Sequence, residues 1–357
     1  MADDSKVQMD YLIVGQGIAG SLLALNLLER GRSVLVVDDG HKHAASKVAA
    51  GLINPITGRR HALTWRFMEC WEFLQSDYSR WEQLLGGTFF FRKPLLRFFK
   101  SEEEQAVFEK KFQGDEFEGI EIEYPAGLGD VPFCKYDGPA YRLGQTGYVD
   151  QAILISKVRE HLESRSAVRT DTWRDEDVVR EEGVVRWMDV SARTVIFTQG
   201  HRASNNSFFR DLPFRHARGE IVELTGPDRN ESPILNRGKW LLPTGSEKYK
   251  AGATYDLKNL DQKVTEEGVA EIQEAIDGMV GGDFQVQSAS SGVRPALHDF
   301  RPVMGKHPWY PELVIFNGLG SKGSLLAPLL AKELVSYLEE GSALHPQADV
   351  DRFRKFL

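Results

Sequence analysis

Residues 11–39 read YLIVGQGIAGSLLALNLLERGRSVLVVDD. An apolar run, Tyr11 to Val14, meets Gly15-Gln-Gly17-Ile-Ala-Gly20. A helix-like stretch follows, then a second apolar run, Val34 to Val37, ending on Asp38. The order spells strand, tight turn, helix, strand, acid. Gly15 permits the sharp turn off the strand, Gly17 lets an anionic group approach the backbone, and Gly20 lets the helix sit close on the sheet. A helix opening at Ile18 and Ala19 presents free N–H groups and the positive end of its dipole, which favour phosphates. Asp38 lies at the usual spacing to accept ribose hydroxyls, with Asp39 as a second candidate. The stretch is therefore expected to bind a dinucleotide. The acid disfavours a 2′-phosphate, so NADP fits least; the motif does not separate FAD from NAD.

The 357 residues suit two domains of ordinary size or one large interrupted one. Hydrophobic content of 41% suffices for a substantial core. A net charge of −8 and a pI near 5.7 argue against a broad surface for nucleic acid. No apolar window reaches the length of about eighteen residues that a membrane span needs. The start, MADDSKVQMD, lacks the basic head and apolar centre of a secretory signal, and the last residues are no peroxisomal tail. The expected setting is the cytosol. Cys70 and Cys134 fit no metal or redox spacing and read as packing residues. His41 and His43 flank Lys42 without a second ligand cluster, so no metal site is expected.

Further along, a loop from Asp39 to Arg60 is dominated by small residues. The periodicity of Leu63, Phe67, Trp71, Leu74 and Tyr78 predicts a helix over 61–85. Ser101 with Glu104 forms a capping box for a helix over 102–113. Alternation over 119–124 predicts a half-exposed strand, and Asp150 caps a helix over 151–164. Residues 178–187 read as a hairpin turning at Glu182-Gly183, and 194–200 as a buried strand ending on Gly200. From Arg218 to Leu297 the pattern is strand-rich, broken by one amphipathic helix over 266–279.

The chain then returns to an α/β pattern in LVIFNGLGSKGSLLAPLLAKELVSYL, 313–338. A strand delivers Gly318, Gly320 and Gly323, and a helix begins near Ser324. Like the first turn, this loop aims unpaired N–H groups at one spot. A ligand touching both loops must be long. FAD meets that demand, with its ADP on the first loop and its ring near the second, where the helix end and Lys322 would stabilise negative charge on a reduced flavin.

At this point the sequence resembles the FAD-dependent oxidases of the D-amino acid oxidase superfamily, glycine oxidase and sarcosine oxidase-like enzymes among them. Four patches carry the resemblance: VGQGIAG with Asp38, SKVAAGLINP, KYKAGATYD, and GVRPALHDFRPVMGKHP followed by NGLGSKGSLLAP. The last patch also resembles the oxidase half of the enzyme that modifies tRNA wobble uridine. The implied fold is α/β mixed with α+β: a discontinuous Rossmann-type FAD-binding domain (1–84, 141–212 and 292–357) with an inserted β-rich substrate domain (85–140 and 213–291). Arg294 matches the family arginine that grips a substrate carboxylate, against an alternative ion pair with Asp299. Lys250 matches a lysine set over the flavin in sarcosine oxidase-like enzymes, against an ordinary strand lysine. Tyr255 and Trp240 either wall the pocket or join the core. Ser46, Lys47, Ala50 and Gly51 match a loop beside the flavin, and Gly320, Ser321, Lys322 and Gly323 the loop at its ring. Val48, Ser324 and Leu325 stand where relatives with tethered flavin carry His or Cys, so noncovalent FAD is expected.

The implied reaction oxidises the C–N bond of an amino acid or related amine by hydride transfer to flavin N5. Water hydrolyses the imine, and O2 is the expected acceptor, giving H2O2. Positioning and electrostatics would do most of the catalysis. A dehydrogenase using another acceptor, a tRNA-modifying oxidase and a flavin-bound sensor are the rival readings. The amine and the oligomeric state stay open.

Overall fold

The computed structural model describes residues 7–40, 44–181 and 183–357. His41, Lys42, His43 and Glu182, named above, lie outside these residues.

The opening stretch folds as its composition demands. Val7–Val14 and Val34–Val37 are parallel neighbours, and Ile18–Glu29 is the helix between them. Val190–Phe197 pairs in parallel with Val7–Val14 on one side and, through its second half, with Leu313–Asn317 on the other. Alternation along these strands sorts their side chains. Ile13, Val36, Ile196 and Val314 face a core shared with the helices Ile18–Glu29, Phe67–Leu85, Gln151–Glu163 and Gly323–Glu340. Leu12, Val37, Phe197 and Ile315 face a second core with Phe209 and Phe353. The hairpin Val178–Glu181 and Val184–Trp187 continues the sheet at the first half of Val190–Phe197.

A second eight-stranded sheet runs in the order Gln285–Arg294, Ala217–Thr225, Lys248–Gly252, Lys239–Gly245, Ile234–Arg237, Leu95–Phe98, Ala140–Leu143, Ile122–Glu123. The helix Glu266–Met279 covers one face through Ile272, Ile276 and Met279, against Val222, Leu241 and Tyr249. The other face carries Ile221, Leu242, Ile234 and Leu95. Glu220 anchors the helix start: its carboxylate accepts from Thr265 N at 2.8 Å and from Thr254 Oγ1 at 2.9 Å. The domain limits at 140/141 and 291/292 fall inside strands of this sheet, Ala140–Leu143 and Gln285–Arg294.

The capped helices sit where capping places them. Ser101 Oγ accepts from Glu104 N at 3.3 Å, and Asp150 Oδ1 from Ile153 N at 3.1 Å. Three expectations need correction. The strand expected over 194–200 runs Val190–Phe197, and Gly200, at φ 59°, opens the short helix Gly200–Asn205. The helix expected over 61–85 starts at Phe67, because Thr64 N donates to Pro55 O at 2.7 Å and Ala62–Leu63 pairs with Ile56–Thr57. The strand expected over 119–124 shrinks to Ile122–Glu123, since Glu121 N is taken by Gln145 Oε1 at 3.2 Å.

The packing singles out one test. A Cβ on Gly20 would lie 2.0 Å from Gly15 O and 2.7 Å from Thr198 Oγ1. Gly20→Ala should cost about 3 kcal/mol or more in urea denaturation. Gly17→Ala, whose Cβ meets only the Ser46 side chain, at 3.2 Å from its Oγ, should cost markedly less stability and mainly weaken binding of the dinucleotide expected at this turn.

Candidate active site

Three parallel strands end side by side at Val14, Phe197 and Asn317, and their outgoing turns bound one cavity of about 990 Å³. Thr198 ties two of them together: its hydroxyl donates to Gly15 O at 2.6 Å. The Asp38 carboxylate accepts from Gln16 N at 2.7 Å and from Gly40 N at 2.8 Å, which fixes it at the cavity wall. Ser46 Oγ stands on the first free donor of the opening helix, Ile18 N, at 3.1 Å. An anionic oxygen is bound at that kind of position. A Cβ on Gly323 would lie 3.1 Å from Ile18 Cγ2, so the starts of the first and last long helices abut and serve one space.

At the other side of the cavity the guanidinium of Arg294 lies flat on Gly219, where a Cβ would fall 2.1 Å from Nη2. Its partners are carbonyls at long range: Arg218 O at 3.3 Å and Thr254 O at 3.4 Å. The nearby acids are committed elsewhere. Arg218 holds Asp261 at 2.9 Å, Glu220 holds the helix start, and Asp299 pairs with Arg352 at 3.1 Å. Among the described residues Arg294 has no carboxylate partner, so the alternative ion pair with Asp299 is overturned. Burial lowers its pKa, the mark of a cation whose charge is poorly compensated. Gly320 N donates to Pro295 O at 2.7 Å, so the last loop and Arg294 are coupled through adjacent backbone.

The family model described as FAD dependent oxidoreductase (DAO) matches residues 10–337. The chain belongs to this family. It is 26% identical, over 352 residues, to the bifunctional tRNA 5-methylaminomethyl-2-thiouridine biosynthesis protein MnmC of Marinobacter nauticus, covering 90% of this chain and 54% of that protein. The chain thus spans about half the length of the first curated relatives it matches. Glycine oxidase from Geobacillus kaustophilus superposes with a TM-score of 0.83 at 19% identity, covering 97% of this chain and 98% of that one. Iminodiacetate oxidase from Chelativorans sp. BNC1 gives 0.76 at 22%, covering 96% and 98%. The chain is an FAD-dependent oxidoreductase of this fold.

The family cofactor fits the residues present. Gly15, Gly17, Ile18, Ala19 and Asp38 border the cavity at the dinucleotide turn. Ser46, Ala50 and Gly51 border it from the small-residue loop, whose turn Ala45–Val48 rests on Gly292 with 3.4 Å between Ala45 Cα and a Cβ there. Gly200, Gly320, Ser321, Lys322 and Gly323 complete it.

Five expected residues stand outside the lining. Gly20 packs the helix onto Gly15. Gly318 is fixed under Leu297, 2.4 Å from where its Cβ would be. Lys47 reaches out to Gly40 O at 3.4 Å. Lys250 lies one pleat along from the cavity: it pairs with Glu223 and Leu242, whereas Ile221 and Trp240, the pairing partners of Gly252, line the cavity. Tyr255 is 60% exposed, with its ring 5.8 Å from the Arg294 guanidinium carbon. Trp240 does line the cavity.

Several lining residues were not singled out from sequence, among them Gln16, Arg202, Gly219 and Asn236. Gly219, a glycine within a strand, carried a readable signal of close approach. Arg202 carried none; it pairs with Asp39 at 2.6 Å across the chain fold.

Lys322, at the start of the last helix, has no ion pair among the described residues, and burial, with Arg301 in support, pushes its pKa down to about 8. The folded value lies below the unfolded one of 10.5, so the unfolded chain binds more protons between the two. Flavin-free protein should therefore gain stability from this group as pH rises from about 8 towards 10.5. Lys322→Met should be the more stable form near neutrality in urea titrations, and its advantage should shrink across that window.

Proposed function

We propose that this enzyme oxidises the C–N bond of an amino acid or related carboxylated amine, with O2 as the electron acceptor and H2O2 as a product. The observation that carries the reading is Arg294: a cavity-lining guanidinium, seated on Gly219, whose hydrogen-bond partners among the described residues are only long carbonyl contacts. A planar guanidinium takes a carboxylate through two parallel hydrogen bonds and so fixes the orientation of the carbon beside it. FAD, when bound noncovalently, supplies the hydride acceptor.

Gly15, Gly17 and Asp38 would hold its nucleotide part, with Ser46, Ala50, Gly51 and Gly200 alongside. Gly320, Ser321, Lys322 and Gly323 would border its ring. The chain's own contribution is to grip the carboxylate at Arg294, to limit water with Trp240 and Ile221, and to place positive charge at Lys322 and the adjoining helix start. Tyr255, beside Arg294 at the surface, would close over the carboxylate. Lys250, off the cavity row, would act on the site only through its field. In this reading residues 1–84, 141–212 and 292–357 form the FAD-binding domain, and 85–140 and 213–291 shape the amine pocket, into which Arg294 reaches from the first.

Anaerobic mixing with an amine panel, followed by admission of air, tests the reading. Bleaching of the flavin by a carboxylated amine, then recovery with release of H2O2, is the expected result; bleaching without recovery in air would assign another acceptor. Arg294→Ala should lower kcat/KM on the order of a hundredfold or more with flavin content unchanged. Gly219→Ala, which displaces the same guanidinium, should raise KM in the same direction by a smaller factor.

A further inference from the structure

The cavity continues well past Arg294. On the inner face of the second sheet, Ile221 pairs with Gly252, Gly252 with Trp240, Trp240 with Asn236, and Asn236 with Arg97. Directly paired residues share a face, so these five form one row across five strands. All of them except Gly252 line the cavity. Arg294 sits at the Gly219 end of that row. Arg97 is four strand spacings from the strand that carries Gly219, about 19 Å between those backbones at ~4.8 Å per spacing. Inward-reaching side chains make the gap between charges shorter.

Besides Arg97 and its partner Glu104, two further cations line the far end, Arg59 and Lys100. Among the described residues neither has a salt bridge or a side-chain hydrogen bond; Arg59 stands near the end of the small-residue loop, beyond the stretch that borders the cofactor. The surrounding charges are already used. Glu104 pairs with Arg97 at 2.8 Å, Lys239 with Glu271 at 2.7 Å, and Arg237 stacks on Tyr136 at 4.3 Å. Burial and the fields of Arg59, Lys239 and Arg237 lower the Lys100 pKa, against an opposing contribution from Glu104.

The end is also built. Buried Arg97 donates to Gly58 O at 2.7 Å and Ile56 O at 3.3 Å, which fixes the loop that carries Arg59. The Lys100 ammonium lies across Gly238, 2.0 Å from where a Cβ would stand. Both residues are exposed at the cavity's edge, where their positive charges add together and draw the anionic end of a ligand that reaches them.

We propose that Arg59 and Lys100 form a second anion subsite, and that the substrate is an amine with a further carboxylate or phosphate beyond its nitrogen, opposite the carboxylate that Arg294 holds. This rests on the reading of Arg294 above.

Flavin absorbance titrations of the holoenzyme with non-oxidisable acids test it: hexanoate against adipate, and octanoate against suberate. At low salt one diacid should bind about tenfold more tightly than its monoacid, with the gain shrinking as salt screens it. In the Arg59→Gln/Lys100→Gln double variant the diacid-to-monoacid ratio should fall to near one. Equal affinities in the unaltered protein, or a gain that survives both substitutions, would overturn the subsite. If monoacids bind and diacids gain nothing, the subsite alone fails. If neither acid perturbs the flavin, the reading of Arg294 falls and takes the subsite with it. A ribo-oligonucleotide that displaces suberate from the unaltered protein, but perturbs the double variant no differently from buffer, would place the second charge on a phosphodiester chain.

Discussion

The strand Val190–Phe197 lies between Val7–Val14 and Leu313–Asn317, hydrogen-bonded in parallel to both. Parallel strands emit their outgoing turns at a common edge, and a crevice at that edge is where open α/β sheets bind ligands. Here the pairing joins turns some three hundred positions apart in the chain. The Thr198 hydroxyl, bonded to Gly15 O and Val14 O, closes the seam between the first and the middle strand. The contact of Gly323 with Ile18 closes the outer rim. Without the middle strand the two glycine loops would be separate helix caps with no shared ligand.

The second sheet inherits its position from that seam. Ala217–Thr225 carries Gly219 and Glu220 in succession, on opposite faces. Gly219 seats the Arg294 guanidinium, while Glu220 secures the start of the covering helix through Thr265 and Thr254. Burial of an acid at this point requires several donors, which Glu220 has. The same strand thus sets the height of the arginine in the cavity and the anchoring of the helix behind it.

What could be read from the amino acids alone follows the range of the interactions involved. The opening turn, Asp38 and both capped helices are local, with each cause within a few dozen residues of its effect. The last glycine loop was readable for the same reason. The start of the Phe67 helix was misplaced because a bond from Thr64 to Pro55 overrides the periodic apolar residues. The family match leaves Lys250 open between a flavin lysine and an ordinary strand lysine; strand register sets it one pleat from the row of Ile221 and Trp240. Gly219, Asn236, Arg59 and Lys100 meet only through pairings between distant strands. No spacing along the chain announces such a meeting.

The hairpin 234–245 supplies Asn236, Gly238 and Trp240 to the cavity through one tight turn. Neither glycine loop lies within it. Natural variation can therefore exchange this short cassette and redirect the appetite of the enzyme, while the electron-handling apparatus passes unchanged from ancestor to descendant.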